Sequence, residues 1–312
     1  MMTAYVILKA HPLQPGESGP TVTLTAADAS RFIQMQSEDQ SVLAVEGGDR
    51  FTELELLRGM LIASANNFAE IVANWDAGAV TTFVGKMNTE AQALGMTQTH
   101  YADASGFSSS STSTPADQLK LAVAAMQNPV FAQIVGTESI RLPNVGLIEN
   151  VNTLLGEQGV VGIKTGFTEQ AGGNLAFAAK RNLQGAGVTI LGMVLGQPSR
   201  QAAFASTRTL LSAVDQGLQF TQVVKAGQVV GTLKTPEGKT VDLVAREDAT
   251  MMLWPGMTLQ AEVQLDALKA PLQRGDQAGT LVLRLGEQEA RIAVDLAGDV
   301  TKPGLLWKLQ RF

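Results

Sequence analysis

Two short segments of the sequence carry side chains that could do chemistry together. Lys164-Thr165-Gly166 lies inside a predicted strand, and Ser64-Ala65-Asn66 lies at a break between two predicted helices about 100 residues earlier. Taken alone, the first is typical of a lysine on an exposed edge strand and the second of a helix cap. Only their order and spacing in one chain indicate a shared site.

Composition restricts which groups could carry catalysis. The chain has 0 cysteines and 2 histidines, His11 and His100. A cysteine nucleophile, a thiolate metal site and an H-E-x-x-H zinc site are therefore excluded, and a histidine-based triad would have to recruit an isolated residue. Catalysis must use Ser, Lys or carboxylates, and we expect neither a metal nor a cofactor.

Charge and hydropathy limit the class of protein further. The 312 residues are 45% apolar and carry a net charge of -6, with no basic block, so nucleic acid is not an expected partner. The most apolar stretch, residues 186–196, is about 11 residues long, whereas a membrane-spanning helix needs about 20. The N-terminal residues lack the basic leader of a signal peptide. We expect a folded protein of one large or two ordinary domains.

Helical periodicity dominates the first 130 residues. A capping box at Thr52 and Glu55 predicts the start of a helix, and the polar residues 64–67 predict an elbow before the next one. Thr114-Pro115 has the form of another helix start. The predicted helices cover residues 1–9, 54–63, 68–73, 82–94 and 116–126, with a later one at 200–216.

Short alternating runs replace the helical pattern after residue 160. Residues 161–167, 174–179 and 188–195 predict an antiparallel meander, which gives the first part of the chain an α+β class. Five further runs predict a small all-β domain: 228–233, 240–245, 258–265, 280–285 and 290–296. We therefore expect a domain at residues 1–218 and a β-sandwich-like domain at 219–312.

Several stretches resemble one family of penicillin-recognising serine enzymes. An S-x-N at a helix junction followed by a K-T-G strand matches that group's second and third motifs. The stretches around them, 57–67, 83–88, 93–101, 162–168 and 171–175, resemble D-alanyl-D-alanine carboxypeptidases. The tail resembles that family's C-terminal β-domain, so the resemblance covers essentially the whole chain.

The resemblance implies a β-lactamase/transpeptidase-like fold, an antiparallel sheet flanked by helices, with the site at the sheet edge. It also implies a serine-type carboxypeptidase that removes the terminal D-alanine of peptidoglycan stem peptides through an acyl-enzyme. Expected partners are the D-Ala-D-Ala stem peptide and β-lactam antibiotics. The full-length protein is expected outside the cytoplasm, in the periplasm or at the outer face of the bacterial membrane.

Three residues take catalytic roles by this resemblance. Ser64 would relay protons to the leaving amine, Asn66 would hold a substrate amide, and Lys164 would supply positive potential toward the substrate carboxylate.

Four more residues are expected to bind substrate. Thr165 would donate a hydrogen bond to the carboxylate, and Gly166 would let the substrate approach the strand backbone as an added strand. Phe167 follows directly, and Arg200 could help to bind the carboxylate or could form a surface ion pair.

The family's first motif, S-x-x-K, is absent, because no serine in this sequence is followed three residues later by lysine. We expect that the break falls at or just before Met1, as it would if an internal methionine had been taken as the start. The alternative is a pseudoenzyme that binds stem peptides without turnover. A β-lactamase ranks third, since the all-β tail fits the carboxypeptidases better.

The last residues, 305–312, form a short amphipathic end around Trp307. In relatives an amphipathic C-terminal helix contacts the membrane, so peripheral membrane contact is one expectation for this segment and a docked final strand is the other.

Intact mass of the native protein, with and without penicillin, separates these hypotheses. A truncated enzyme predicts a mass above 32.9 kDa that rises by one penicillin adduct. A mass matching these 312 residues with no adduct contradicts the enzyme hypothesis for this chain.

Overall fold

The computed structural model describes residues 1–183, 185–235, 237–286 and 288–302. The chain forms two compact units, one of Met1–Ser212 and one that begins at Ala213. Helices and antiparallel strands make up the first unit, and strands dominate the second, which confirms the predicted α+β class with an all-β tail. The division predicted after residue 218 stays a prediction.

The helices of the first unit begin where capping signals predict them. The Thr52 hydroxyl accepts a hydrogen bond from the Glu55 amide at 3.3 Å, while the Glu55 carboxylate accepts from the Thr52 amide at 2.8 Å. The Thr114 hydroxyl likewise caps the start of a later helix. The described helices are α1 (Met2–Ala10), α2 (Ala26–Ser37), α3 (Glu53–Ile62), α4 (Asn66–Ala77), α5 (Val80–Ala93), α6 (Pro115–Met126), α7 (Pro129–Val135) and α8 (Arg200–Gly217). Of these, α2 and α7 were not predicted.

The predicted polar elbow separates α3 from α4, and the two helices cross closely. A methyl group on Gly59 would overlap the Phe68 ring, so the crossing depends on the missing side chain at that position. Phe68 also packs against Phe51, with ring centroids 5.2 Å apart. The elbow is thereby held at the surface of a buried helical core.

Three antiparallel strands form the sheet of this unit. They are β5 (Val160–Thr168), β6 (Gly172–Leu183) and β7 (Ala186–Gln197), in the order β5-β6-β7. The predicted meander is confirmed, with strands longer than predicted. Within the described residues β5 has a strand neighbour on one side only, so it is an edge strand.

Two small two-stranded sheets complete the first unit. They pair β1 (Thr21–Thr23) with β2 (Arg50–Thr52) and β3 (Ser139–Leu142) with β4 (Gly146–Glu149). Neither pair was predicted, because strands of three or four residues are too short to show an alternating pattern.

The second unit contains all five strands predicted for it. Its described strands are β8 (Gln219–Val224), β9 (Val229–Lys234), β10 (Thr240–Ala245), β11 (Ala249–Leu253), β12 (Gln260–Leu265), β13 (Gln277–Leu285) and β14 (Gln288–Leu296). They form a five-stranded sheet, β12-β13-β14-β10-β9, and a pair, β11-β8, around one apolar core. β12 begins two residues later than predicted, and β8 and β11 were not predicted.

Residues 305–312, around Trp307, were predicted to contact the membrane or to form a docked final strand. This segment lies outside the described residues. In the described part of the chain, no helix combines the length and the apolar character needed to cross a bilayer.

One carboxyl group in the helical core lacks a polar partner in the described part of the chain. The Glu53 side chain, in the first turn of α3, is buried, and neither of its oxygens makes a hydrogen bond to a described residue. Gly19 packs against it so closely that a methyl group there would lie 2.6 Å from Oε2. Burial raises the pKa of Glu53 to about 7, because the apolar surroundings disfavour the charged form.

Replacing Glu53 by glutamine should flatten the pH dependence of stability. Between about pH 4.5 and pH 7 the folded wild-type protein keeps a proton that the unfolded chain has lost. The free energy of unfolding should therefore fall as pH rises, by at most about 1.4 kcal/mol per pH unit from this group. Urea titrations of wild type and E53Q at several pH values give the free energy of unfolding, and its slope against pH is compared between the two proteins.

The exposed Glu46 provides the control, since E46Q should keep the wild-type slope. Equal slopes for wild type and E53Q would contradict the assignment.

Candidate functional site

The structure brings together two predicted residues that are far apart in sequence. Lys164 Nζ donates a hydrogen bond of 2.8 Å to Ser64 Oγ, and a second of 2.9 Å to the carbonyl oxygen of Thr165. β5 positions the lysine, and the α3–α4 elbow positions the serine. The two motifs therefore share one site at the exposed edge of the sheet.

The backbone at Ser64 is in the left-handed region. Its φ is 60°, a conformation that costs a non-glycine residue of order 1 kcal/mol or more unless surrounding contacts impose it. Contacts on the C-terminal side impose it in this fold: the Ala65 amide donates to the Gly59 carbonyl at 3.2 Å, and the Asn66 amide donates to the Ser41 carbonyl at 2.8 Å. The turn aims the Ser64 hydroxyl at β5.

The ammonium group of Lys164 lies in an environment that disfavours its charge. Partial burial lowers its pKa to about 8, and the positive charge of Arg200 lowers it further in the same direction. Close to neutral pH this lysine is therefore charged in most molecules but readily loses its proton.

Arg200 begins α8 and supplies the second cation of the site. Its Nε atom is buried and has no hydrogen-bond partner among the described residues. Gly173 in β6 allows α8 to start close to the sheet, since a methyl group on Gly173 would overlap the Ser199 carbonyl group. An unpaired buried donor next to a second cation is an arrangement that a carboxylate can satisfy.

Asn66 is half-buried and one of its side-chain N–H groups is already used. Nδ2 donates one of its two hydrogens to Gln40 Oε1 at 2.9 Å, which leaves its second N–H and the carbonyl oxygen of Asn66 for a ligand. Gln40 and Ser41 follow α2, in a stretch to which the sequence analysis assigned neither an element nor a role. No motif marks them, because their importance arises only from the tertiary contact with the elbow.

The residues that follow Lys164 in β5 differ in burial and in the space around them. Thr165 is buried and lies opposite Leu175 of β6, while Phe167 is 48% exposed. A methyl group on Gly166 would meet Asn174 only at 3.7 Å, an ordinary contact, so packing within the fold does not require glycine there. Its small size instead leaves room beside the strand.

Among the described residues no cluster of three or more His, Cys, Asp or Glu side chains could hold a metal ion. The polar groups assigned to this site are the hydroxyls of Ser64 and Thr165, the side-chain amide of Asn66 and the cations of Lys164 and Arg200.

Comparisons with known proteins match both units. The sequence model of D-alanyl-D-alanine carboxypeptidases matches residues 1–198, and that of the C-terminal domain of penicillin-binding protein 5 matches residues 219–297. A Streptomyces D-alanyl-D-alanine carboxypeptidase is 33% identical over 64% of this chain and 71% of its own length. The D-alanyl-D-alanine carboxypeptidase DacF of Bacillus subtilis is 28% identical over 87% of this chain and 72% of its own.

A solved structure extends the likeness to the fold. Penicillin binding protein 5 from Haemophilus influenzae superposes with a TM-score of 0.66 at 23% identity, over 96% of this chain and 88% of that one. The family's sequence model covers well over half of the chain. The chain therefore belongs to the D-alanyl-D-alanine carboxypeptidase family of serine peptidases.

Proposed function

We propose that this site binds the D-Ala-D-Ala end of peptidoglycan stem peptides. The observation that carries the proposal is the pairing of Lys164 with Ser64 beside the unpartnered Nε of Arg200. A terminal carboxylate between the two cations would satisfy the arginine donor and relieve the repulsion from Arg200, which adds to burial in lowering the pKa of Lys164. β-Lactam antibiotics, which also present a carboxylate next to an acyl group, fit the same description.

Each residue then has a role in handling the peptide. Thr165 would donate to the carboxylate, Gly166 would leave space for the peptide to lie against the edge of β5, and Phe167 would border it. Asn66 would hold a peptide amide through its free side-chain N–H or its carbonyl oxygen. Ser64, hydrogen-bonded to Lys164, would pass a proton to the departing amine.

The reaction is acyl transfer from the penultimate D-alanine. A serine hydroxyl adds to its carbonyl carbon, the C–N bond to the terminal D-alanine breaks, and the amine leaves with the proton relayed through Ser64. Water then hydrolyses the ester and regenerates the hydroxyl. The nucleophile and its base belong to the S-x-x-K pair, which the 312 residues do not contain.

We infer that these residues supply binding and proton relay, and that turnover depends on a serine and lysine outside them. Binding without turnover is the second candidate, favoured by the absence of S-x-x-K. We also propose that the protein works outside the cytoplasm, because stem peptides are exposed there.

Replacing Arg200 by glutamine should weaken binding of a ligand carboxylate. We expect the affinity for an acyl-D-Ala-D-Ala peptide to fall roughly 10-fold or more, because a charge-assisted hydrogen bond contributes about 1.5–3 kcal/mol. The same peptide with a neutral C-terminal amide should bind wild type and R200Q equally. Isothermal titration calorimetry measures the dissociation constants of the acid peptide and of the amide peptide for each protein.

Arg208, on the same helix, pairs with Glu157 and provides the control. R208Q should bind like wild type. An equal loss in R200Q for the acid and for the amide would contradict the carboxylate role.

Binding of the acid peptide should also depend on pH through Lys164. In the free protein the lysine loses its proton above about pH 8, so the affinity should fall by up to 10-fold per pH unit above that value. In K164R the cation stays charged, and the affinity should remain level up to about pH 10. Calorimetric titrations of both proteins with the acid peptide, between about pH 6 and pH 10, give the affinity at each pH. If the affinities of wild type and K164R depend on pH in the same way, Lys164 is not the group responsible.

A further inference from the structure

The pairing between β6 and β7 is interrupted at Asn174. There one residue of β6 faces two residues of β7, Leu195 and Gly196, which is a β-bulge. A bulge leaves its extra residue without a partner in the ladder and bends the strand that carries it. The regular pairs on its two sides are Gly173 with Gln197 and Leu175 with Val194.

The Asn174 side chain closes this bulge. Its Oδ1 accepts a hydrogen bond of 2.9 Å from the Gly196 amide, and its Nδ2 donates one of 2.9 Å to the Gly172 carbonyl. One side chain thus ties the end of β7 to the start of β6. The Gly196 amide, which the ladder leaves unpaired, gains a partner in the same step.

The bulge lies only four residues before Arg200. Ser199 caps α8, because its Oγ accepts from the Ala202 amide at 3.1 Å. Gly173, next to Asn174, packs so closely on this junction that a methyl group there would lie 2.8 Å from the Arg200 amide nitrogen. Since the connection is short and tightly packed, the place where β7 ends determines where α8, and with it Arg200, begins.

Asn174 also borders the K-T-G strand. It lies opposite Gly166 of β5, and a methyl group on Gly166 would be 3.7 Å from the Asn174 Cβ. Asn174 is therefore located between the strand edge that a ligand would contact and the junction that carries the arginine. A relaxation of the bulge would move Arg200 relative to β5.

We propose that Asn174 is a positioning residue that holds Arg200 where its guanidinium can bind a ligand carboxylate. The proposal rests on the proposed function and adds to it a residue outside the two motifs. Asn174 acts through the backbone of β7 and the start of α8. It makes no contact with the carboxylate itself.

Two substitutions at position 174 test this role. N174L keeps a branched side chain but loses both hydrogen bonds. N174S carries its oxygen one bond closer to the backbone, so it cannot reach Gly196 and Gly172 together. The probes are an acyl-D-Ala-D-Ala peptide and the same peptide with a neutral C-terminal amide, and calorimetry on the full chain gives their affinities.

Asn182, at the other end of β6, provides a matched control. Its Oδ1 also accepts from a glycine amide, that of Gly185, at 2.9 Å. N182L therefore removes a bond of the same kind from the same strand, far from Arg200 in the sequence, and should bind both peptides like wild type.

In N174L and N174S we expect the affinity for the acid peptide to fall by about 3-fold or more. The affinity for the amide peptide should stay within about 2-fold of wild type, because the amide offers Arg200 no carboxylate. N174L/R200Q should bind the acid no more weakly than R200Q, since the contribution of the arginine is already lost. Equal losses for acid and amide, or a further loss in the double variant, overturn the proposal.

A second measurement needs no ligand and separates this proposal from the function on which it rests. The Arg200 Nε–H signal in a ¹H–¹⁵N spectrum, identified by its loss in R200Q, should shift in N174L and N174S and keep its position in N182L. If wild type binds neither peptide, the proposed function fails, and this signal alone decides whether Asn174 positions Arg200. An unshifted signal in N174L overturns the positioning role.

Discussion

A lysine ammonium that is partly withdrawn from water needs fixed polar atoms around it, and Lys164 finds them in Ser64 Oγ and the Thr165 carbonyl. For this contact to form, the edge of β5 and the α3–α4 elbow must approach within the reach of one side chain. α7 packs against both α3 and β5. Its Val135 presses on Gly162, where a methyl group would lie 2.9 Å away. The helical core and the sheet are thus spaced by α7 so that the two motifs meet.

The elbow adds a local constraint to this global one. Ser64 adopts a left-handed backbone, and the stretch after α2 supports the residues that follow it: Ser41 accepts from the Asn66 amide, and Leu43 exchanges two hydrogen bonds with the Asn67 side chain. This stretch forms no helix or strand between α2 and β2, although Leu43 and Val45 pack into the apolar core. Its role is to satisfy polar groups that the break between two helices would otherwise leave unpaired.

Much of the fold could be predicted because local rules agree with the final packing. The Thr52 capping box and the alternation in the meander depend on neighbours in sequence, and both are confirmed. The K-T-G and S-x-N motifs predicted that Lys164 and Ser64 share a site. The contact between Gln40 and Asn66 could not be predicted, since it depends on where α2 ends in space and on Asp39 taking a left-handed conformation that glycine usually supplies. β8 (Gln219–Val224) and β11 (Ala249–Leu253) were not predicted because apolar and polar residues do not alternate regularly along them.

The contact between Gly59 and Phe68 carries a consequence for how this chain can change over evolutionary time. Because no side chain fits between them, the angle at which α4 leaves the elbow, and with it the place of Asn66, depends on both positions at once. A larger residue at position 59 is tolerated only after the ring at 68 has been reduced. The two positions form an epistatic pair, in which the order of substitutions decides whether a lineage keeps a working elbow.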